Sequence, residues 1–235
     1  GTLGVTSTGA VTDSGTLAIT GATTISASGQ DITLDEAAST FGTLALTGVN
    51  VAVTENAATD LGATTVSGTL GITSAGAVTD SGTLAITGAT TISASGQDIT
   101  LDDAASTFGT LALTGANVAV TENEATDLGA STVSGTFGIT SGGAITDSGT
   151  QTITGAATFT NTAGTNDAIT LDDASNAFSG TVTFSTDSGS AVTVVDTTAF
   201  DLLALSAASL SVTAGGAITD SGTLAVSGAT TLIAS

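Results

Sequence analysis

The sequence predicts an all-β fold, a right-handed parallel β-solenoid (β-helix) of about 20 residues per turn, on three observations. Residues 68–134 repeat residues 1–67 with six substitutions: Val5/Ile72, Thr8/Ala75, Glu36/Asp103, Val49/Ala116, Ala57/Glu124 and Thr64/Ser131. Apolar residues alternate with the strand period of two, as in Leu84 and Ile86, Leu111 and Leu113, or Val118 and Val120. Gly-led heptads (GTLGITS from Gly68, GATTISA from Gly88, GANVAVT from Gly115) mark a shorter beat inside the repeat, each opening one turn of chain. A sandwich has no reason to repeat itself so closely, whereas a coil lying on itself turn by turn does.

In chain order the openings fall at Gly1, Gly21, Gly48, Gly68, Gly88, Gly115, Gly135, Gly155, Gly189, Ala208 and Gly228. They bound ten full turns, mostly of 19 or 20 residues with one longer turn per period, so that the 67-residue super-repeat covers three turns. The array reads as one continuous domain over 1–235, with repeats 1–67, 68–134, 135–207 and a partial 208–235. Each turn carries three runs rich in Thr, Val, Ile and Leu, such as TLGIT, AVTDS and TLAIT after Gly68, separated by Gly, Ser, Asp or Asn at corners. Leu70, Ile72, Leu84 and Ile86 are expected inside, and Thr69, Gly71, Thr73, Thr83, Ala85 and Thr87 outside. Ile72, Ile92 and Val118 are expected in neighbouring layers of one inner face. Ten rungs at a spacing of about 4.8 Å would make a rod about 48 Å long, and crossovers between parallel strands favour the right hand. The narrow, three-faced interior is filled by single layers of Val, Ile and Leu, and glycine serves the corners.

Composition removes several classes of function. Lys, Arg, His, Pro, Cys, Met, Trp and Tyr are all absent, and 21 acidic residues give a net charge of −21. Binding to a phosphate backbone needs cations to displace counterions, so nucleic acid is excluded; an anionic membrane surface would repel the chain. No apolar run of about 18 residues is present to span a bilayer, and no disulfide can form. No GxGxxG, Walker or GGxGxD pattern gives the glycines a phosphate- or calcium-binding role.

The acids fall into two patterns. LDEAAST at 34–40, LDDAAST at 101–107 and LDDASNA at 171–177 are expected to bulge from one corner, three rungs apart and so in one row. Asp35/Glu36, Asp102/Asp103 and Asp172/Asp173 there are either solvated loop acids or a lateral-contact or cation-binding row, with paired oxygen ligands for a cation such as calcium. The second pattern is an Asp twelve residues after a turn opening, at Asp13, Asp60, Asp80, Asp127, Asp147, Asp201 and Asp220. Asp60 with Asp80, Asp127 with Asp147 and Asp201 with Asp220 are expected side by side, one rung apart. At about 4.8 Å their repulsion is about 0.9 kcal/mol in water and about 3.5 kcal/mol at an effective dielectric of 20, which favours a shared calcium ion or proton. Alternatively each Asp caps its own corner through backbone hydrogen bonds.

Strings such as GAVTDSGTLAITGATTISASG, LDDAASTFGTLALTG and NVAVTENEATDLGASTVSGTFGIT resemble the β-strand-repeat regions of very large bacterial surface proteins related to filamentous haemagglutinin. The resemblance covers essentially the whole chain. It implies secretion, a long parallel β-helix, and a role as adhesin, stalk, fibre or surface-layer component at the cell surface. No catalytic residue comes with it, because those repeat regions have none.

The expectation is therefore an extracellular structural segment that self-associates end to end, with lateral bundling favoured by salt or calcium and with possible cell-surface or polysaccharide contacts. A polysaccharide-active β-helix enzyme is the contrasting class. Carboxylates about 5 Å apart would suit a retaining glycosidase, yet these recur in every period and no His, Lys, Arg, Tyr or Trp supports them. Carbohydrate or ice binding through Thr rows (Thr16/Thr20, Thr43/Thr47, Thr83/Thr87, Thr110/Thr114) is a third class, weakened by Ser, Ala or Val in intervening turns.

Overall fold

A computed structural model describes residues 1–162, 167–186 and 189–235. The chain is an all-β parallel β-solenoid, with no helix among the described residues. Its contacts group into two compact units, Gly1–Ala116 and Asn117–Ser235.

In the first unit one sheet runs Leu3–Thr6, Thr23–Ser26, Thr43–Gly48, Thr59–Leu61, Val78–Asp80 and Ile99–Leu101. The other runs Val11–Thr12, Ile32–Leu34, Val51–Glu55, Leu70–Ser74, Ala89–Ser93 and Thr110–Gly115. Each turn of chain contributes one strand to each wall. Two short strands, Thr64–Val66 and Leu84–Ile86, pair with each other and continue the first wall around a bend. The interior thus lies between two principal walls, one of them bent, rather than three equal faces. Alternation does the sorting: Leu70, Ile72, Leu84 and Ile86 are buried, whereas Thr69, Thr73, Thr83, Ala85 and Thr87 are exposed or half-exposed, as is Gly71.

Register corrects the turn lengths. Leu3 pairs with Thr23, Thr23 with Leu44, Thr43 with Asp60 and Val51 with Leu70, so turns of similar length follow one another and no long turn intervenes. The turn opening that follows Gly21 is Gly42, where an added Cβ would sit 2.6 Å from the Gly21 carbonyl oxygen. The same holds for Gly109 over Gly88, at 2.5 Å. Gly48 and Gly115 instead end the strands Thr43–Gly48 and Thr110–Gly115. Ile72 does pair with Ile92, as expected, but the next partner of Ile92 is Leu113, while Val118 pairs with Phe137 in the second unit.

A consequence is that one super-repeat covers three and a half turns rather than three. Leu3–Thr6 lies in one sheet of the first unit and its copy Leu70–Ser74 lies in the other; Ile32–Leu34 and its copy Ile99–Leu101 exchange sheets in the same way. Both walls accordingly follow one order of strand types, TLGIT, TTIS, LALT, TDLGATTV, VTDSGTLAI, ITL, VAVTE, entered half a period apart.

The second unit repeats the scheme. One sheet holds Val118–Glu122, Phe137–Ser141, Ala157–Asn161, Thr181–Ser185 and Phe200–Ala207; the other holds Ile145–Asp147, Ile169–Leu171, Ala191–Asp196 and Ser209–Ala214. Here Ile153 pairs with Phe178 and Ala157 with Val182, a longer step along the chain than any strand pairing of the first unit takes. The interior here holds aromatic rings in place of aliphatic layers. Phe159 meets Phe137 edge-on at 5.8 Å, Phe178 edge-on at 6.0 Å and Phe184 stacked at 5.6 Å, and Phe178 meets Phe200 at 6.2 Å.

Candidate functional site

The acidic corners are the chemically distinctive part of the coil. After Ile32–Leu34 the chain turns at LDEAAST, closed by the Ser39 amide donating to the Glu36 carbonyl at 2.8 Å. Ser106 to Asp103 (3.0 Å) and Asn176 to Asp173 (3.2 Å) close the equivalent corners. Asp103 also accepts from the Ala105 amide at 2.8 Å and Asp173 from the Ser175 amide at 2.9 Å, the local bond that suits Asp to turns. The last residues of each corner re-enter the wall. Ser39 is fully buried and its Oγ accepts from the Leu17 amide at 3.0 Å; Ser106 Oγ accepts from Leu84 at 2.9 Å, and Asn176 Oδ1 from Gln151 at 2.7 Å. A side-chain oxygen thus stands in for the carbonyl that a strand would present there.

The expected single row of bulges is replaced by two edges. In the first unit the 34–40 corner leaves the sheet of Ile32–Leu34, while the 101–107 corner leaves the opposite sheet, at Ile99–Leu101. Half-turn phasing is the reason. Nor does LDEAAST project in full, since Ser39 and Phe41 are buried and Thr40 bridges Ala18.

The recurrent Asp residues are not side by side. Asp60 stands opposite Thr79, and Asp80 opposite Leu61; Asp127 stands opposite Thr146 and Asp147 opposite Leu128; Asp201 stands opposite Thr219 and Asp220 opposite Leu202. Each pair is out of register by a single position, because the turn that joins its two acids is shorter by one than the interval between them. Two separate jobs result. Asp13 Oδ1 accepts from the Asp35 amide at 3.1 Å, Asp80 from the Asp102 and Asp103 amides at 2.8 and 3.2 Å, and Asp147 from the Asp172 and Asp173 amides at 2.8 and 3.3 Å and from Asn176 Nδ2 at 2.6 Å. Each therefore clamps the LDxA corner of the following turn. Burial pushes the carboxyls of Asp80 and Asp147 up from the ordinary Asp value of 3.8, against these hydrogen bonds, which lower it.

Asp60, Asp127 and Asp201 face hydroxyls instead. Asp60 Oδ2 accepts from Thr43 Oγ1 at 2.7 Å and Ser81 Oγ at 2.9 Å, Asp127 Oδ2 from Ser148 Oγ at 2.8 Å, and Asp201 Oδ2 from Ser221 Oγ at 3.1 Å. Asp220, like Asp102 and Asp172, is exposed, while Asp103 is half-buried and accepts from Thr83 Oγ1 at 3.1 Å. Among the described residues no three acidic side chains converge in a way that could hold a metal ion.

Three further acids are buried: Glu55, Glu122 and Asp196 are 1%, 3% and 2% exposed. Glu55 Oε1 accepts from the Phe41 amide at 2.7 Å, and Asp196 Oδ1 from the Phe178 amide at 3.2 Å. Burial pushes the carboxyls of both Glu55 and Asp196 up. A sequence signal for Glu55 and Glu122 existed, since the period of two that buries Val51 and Val53, or Val118 and Val120, places the Glu of VAVTE inward. Buried Gln151 and Asn176 belong to the same network and carry no such signal beyond replacing Leu84 and Ser106.

These corners supply hydrogen-bond acceptors to backbone amides and hydroxyls, a task of support. Fold and corners together define a repeat protein of the parallel β-solenoid class. Residues 1–47, 48–114, 115–185 and 189–235 match a family described as repeats of unknown function (DUF5649), and the chain belongs to that family. Its unit over 48–114 has the period read above, opening at Gly48 rather than Gly68. No curated protein and no solved structure matches the chain.

Proposed function

We propose that the chain is a structural segment of an extracellular bacterial fibre, adhesin stalk or surface layer, and that it carries out no catalysis. One observation carries the reading: a recurrent set of the acids, the residues with the most chemical potential in the sequence, is committed to clamping one turn onto the next. Asp13, Asp80 and Asp147 hold the corner of the following turn, and Glu55 and Asp196 hold the corner of the preceding one. Such a coil gains stability from nearest-neighbour contacts and lengthens by adding turns.

The resemblance to haemagglutinin-related repeat regions supports a place outside the cell. Strands of one type always receive the same next type in either wall, a template that favours end-to-end growth by polar stacking. The charge of −21, with no basic residue, opposes side-by-side packing until salt or divalent ions screen it. Electron microscopy of the purified chain in low salt should reveal unbranched filaments one coil wide that thicken when calcium is added. Monodisperse particles under both conditions would refute the assembly.

A further inference from the structure

Glu55 is a costly residue to place where it is. Its side chain is 1% exposed, Oε1 takes the Phe41 amide at 2.7 Å, and Oε2 is buried with no hydrogen-bond partner. The sequence holds no Lys, Arg or His that could neutralise it. Isolated buried carboxylates are strongly disfavoured relative to the neutral acid, which leaves a far smaller desolvation cost.

Its surroundings contribute no compensating charge. The strand Val51–Glu55 packs between Ile32–Leu34 and Leu70–Ser74, where Ser74 is the residue opposite Glu55. Buried Ser39 and Phe41 approach from the 35–42 corner, and buried Thr59 from the next segment, its hydroxyl donating to Ser74 Oγ at 3.0 Å. The titratable groups on these segments are Asp35, exposed, Glu36, half-buried, and Asp60, which points outward between buried Thr59 and Leu61. All are acids, so none favours ionisation of Glu55.

Two links tie the corner to this position: the Phe41 amide to Glu55 Oε1, and the Asn56 amide to the Ser39 carbonyl at 2.8 Å. We propose that Glu55 is a pH-sensitive latch: as the neutral acid it holds the 35–42 corner closed against the next turn, and its ionisation as pH rises releases that corner. Burial, the largest influence on its carboxyl, raises it above the ordinary Glu value of 4.5, while the Phe41 amide pulls it back. A carboxyl raised in the folded state binds its proton more tightly there than when released. Closure is therefore fully favoured below the ordinary value and weakens as pH rises through the folded one. Asp196, 2% exposed and accepting from the Phe178 amide, occupies the same position in the second unit.

The test is amide hydrogen exchange of Phe41 and Asn56 in the whole chain between pH 5 and 9, corrected for intrinsic exchange. Carbon-13 titration of the Glu55 carboxyl accompanies it. In the wild type, Glu55 should titrate above the exposed acids, and Phe41 protection should fall by up to about tenfold per pH unit beyond that midpoint. Glu55→Gln, which cannot ionise, should show pH-independent protection of Phe41. Titration of Glu55 together with the exposed acids, or the same decline in Glu55→Gln, would overturn the latch. If the variant does not fold, the wild-type carboxyl titration alone decides.

Discussion

Ser39, Ser106 and Asn176 do at single positions what a strand does over several. Each is buried and offers one side-chain oxygen to an amide, of Leu17, Leu84 or Gln151, that the adjacent corner would otherwise leave without an acceptor. Ser106→Ala should cost about 1–3 kcal/mol, the range for stranding a buried donor, measured as the shift in denaturation midpoint at constant slope. A loss under about 0.3 kcal/mol would mean that water or another carbonyl reaches Leu84. The titrating residues give a second expectation. Glu55, Asp80, Asp147 and Asp196 are all raised by burial above ordinary values of 4.5 or 3.8. Each therefore stabilises most fully below those values and loses that contribution as pH rises through its folded value. Falling pH also lessens the self-repulsion of −21. Melting at pH 5 should exceed melting at pH 8 at fixed ionic strength, and the opposite order would contradict the burial argument.

At the scale of corners and strands, close approach between turns decides what can be changed. A Cβ at Gly88 would overlap the Gly68 carbonyl oxygen, a backbone atom that cannot swing aside, whereas at Gly71 the nearest atom is 3.8 Å away. Gly88→Ala should thus lose at least about 1–3 kcal/mol through overpacking. Gly71→Ala should be neutral or gain up to about 1 kcal/mol from reduced freedom of the unfolded chain; equal losses at both sites would refute the contact argument. In the second unit Phe159 is fully buried against three other rings. Phe159→Ala should cost about 3–5 kcal/mol, and Phe159→Leu less, by thermal or chemical denaturation.

On the scale of the molecule, the half-turn phase and the commitment of the acids make separate expectations. Deleting residues 68–134 joins Ser67 to Gly135, a junction the chain already contains as Ser134–Gly135. Because three and a half turns leave and both walls share one order of strand types, the shortened chain should keep its β-sheet circular dichroism per residue. Collapse of that signal would mean that the walls are not interchangeable. Asp60 and Asp80 are engaged by hydroxyls and amides and stand out of register. A chelator at constant ionic strength should leave the melting temperature unchanged, and a marked drop would restore the shared-calcium reading.

The sequence alone determined the architecture. Near-identical consecutive copies, alternating apolar residues and Gly- and Asp-rich corners admit a stacked parallel coil and little else, because only equivalent turns lying on one another make use of such repetition. Inward and outward sides followed from the period of two, correctly for Leu70, Ile72, Leu84 and Ile86. Register was decided by the tertiary structure. Which glycine lies over Gly21 depends on where the LDEAAST corner rejoins the wall, and burial of Ser39 and Phe41 draws that corner in, moving the opening from Gly48 to Gly42. That shift turned three turns into three and a half and sent alternate corners to opposite edges, while a joining turn one residue shorter than their spacing put Asp60 and Asp80 out of register. Local periodicity specifies how each strand faces, but the pairing of strands a full turn apart is settled by packing and by hydrogen bonds between residues that no short stretch of sequence contains.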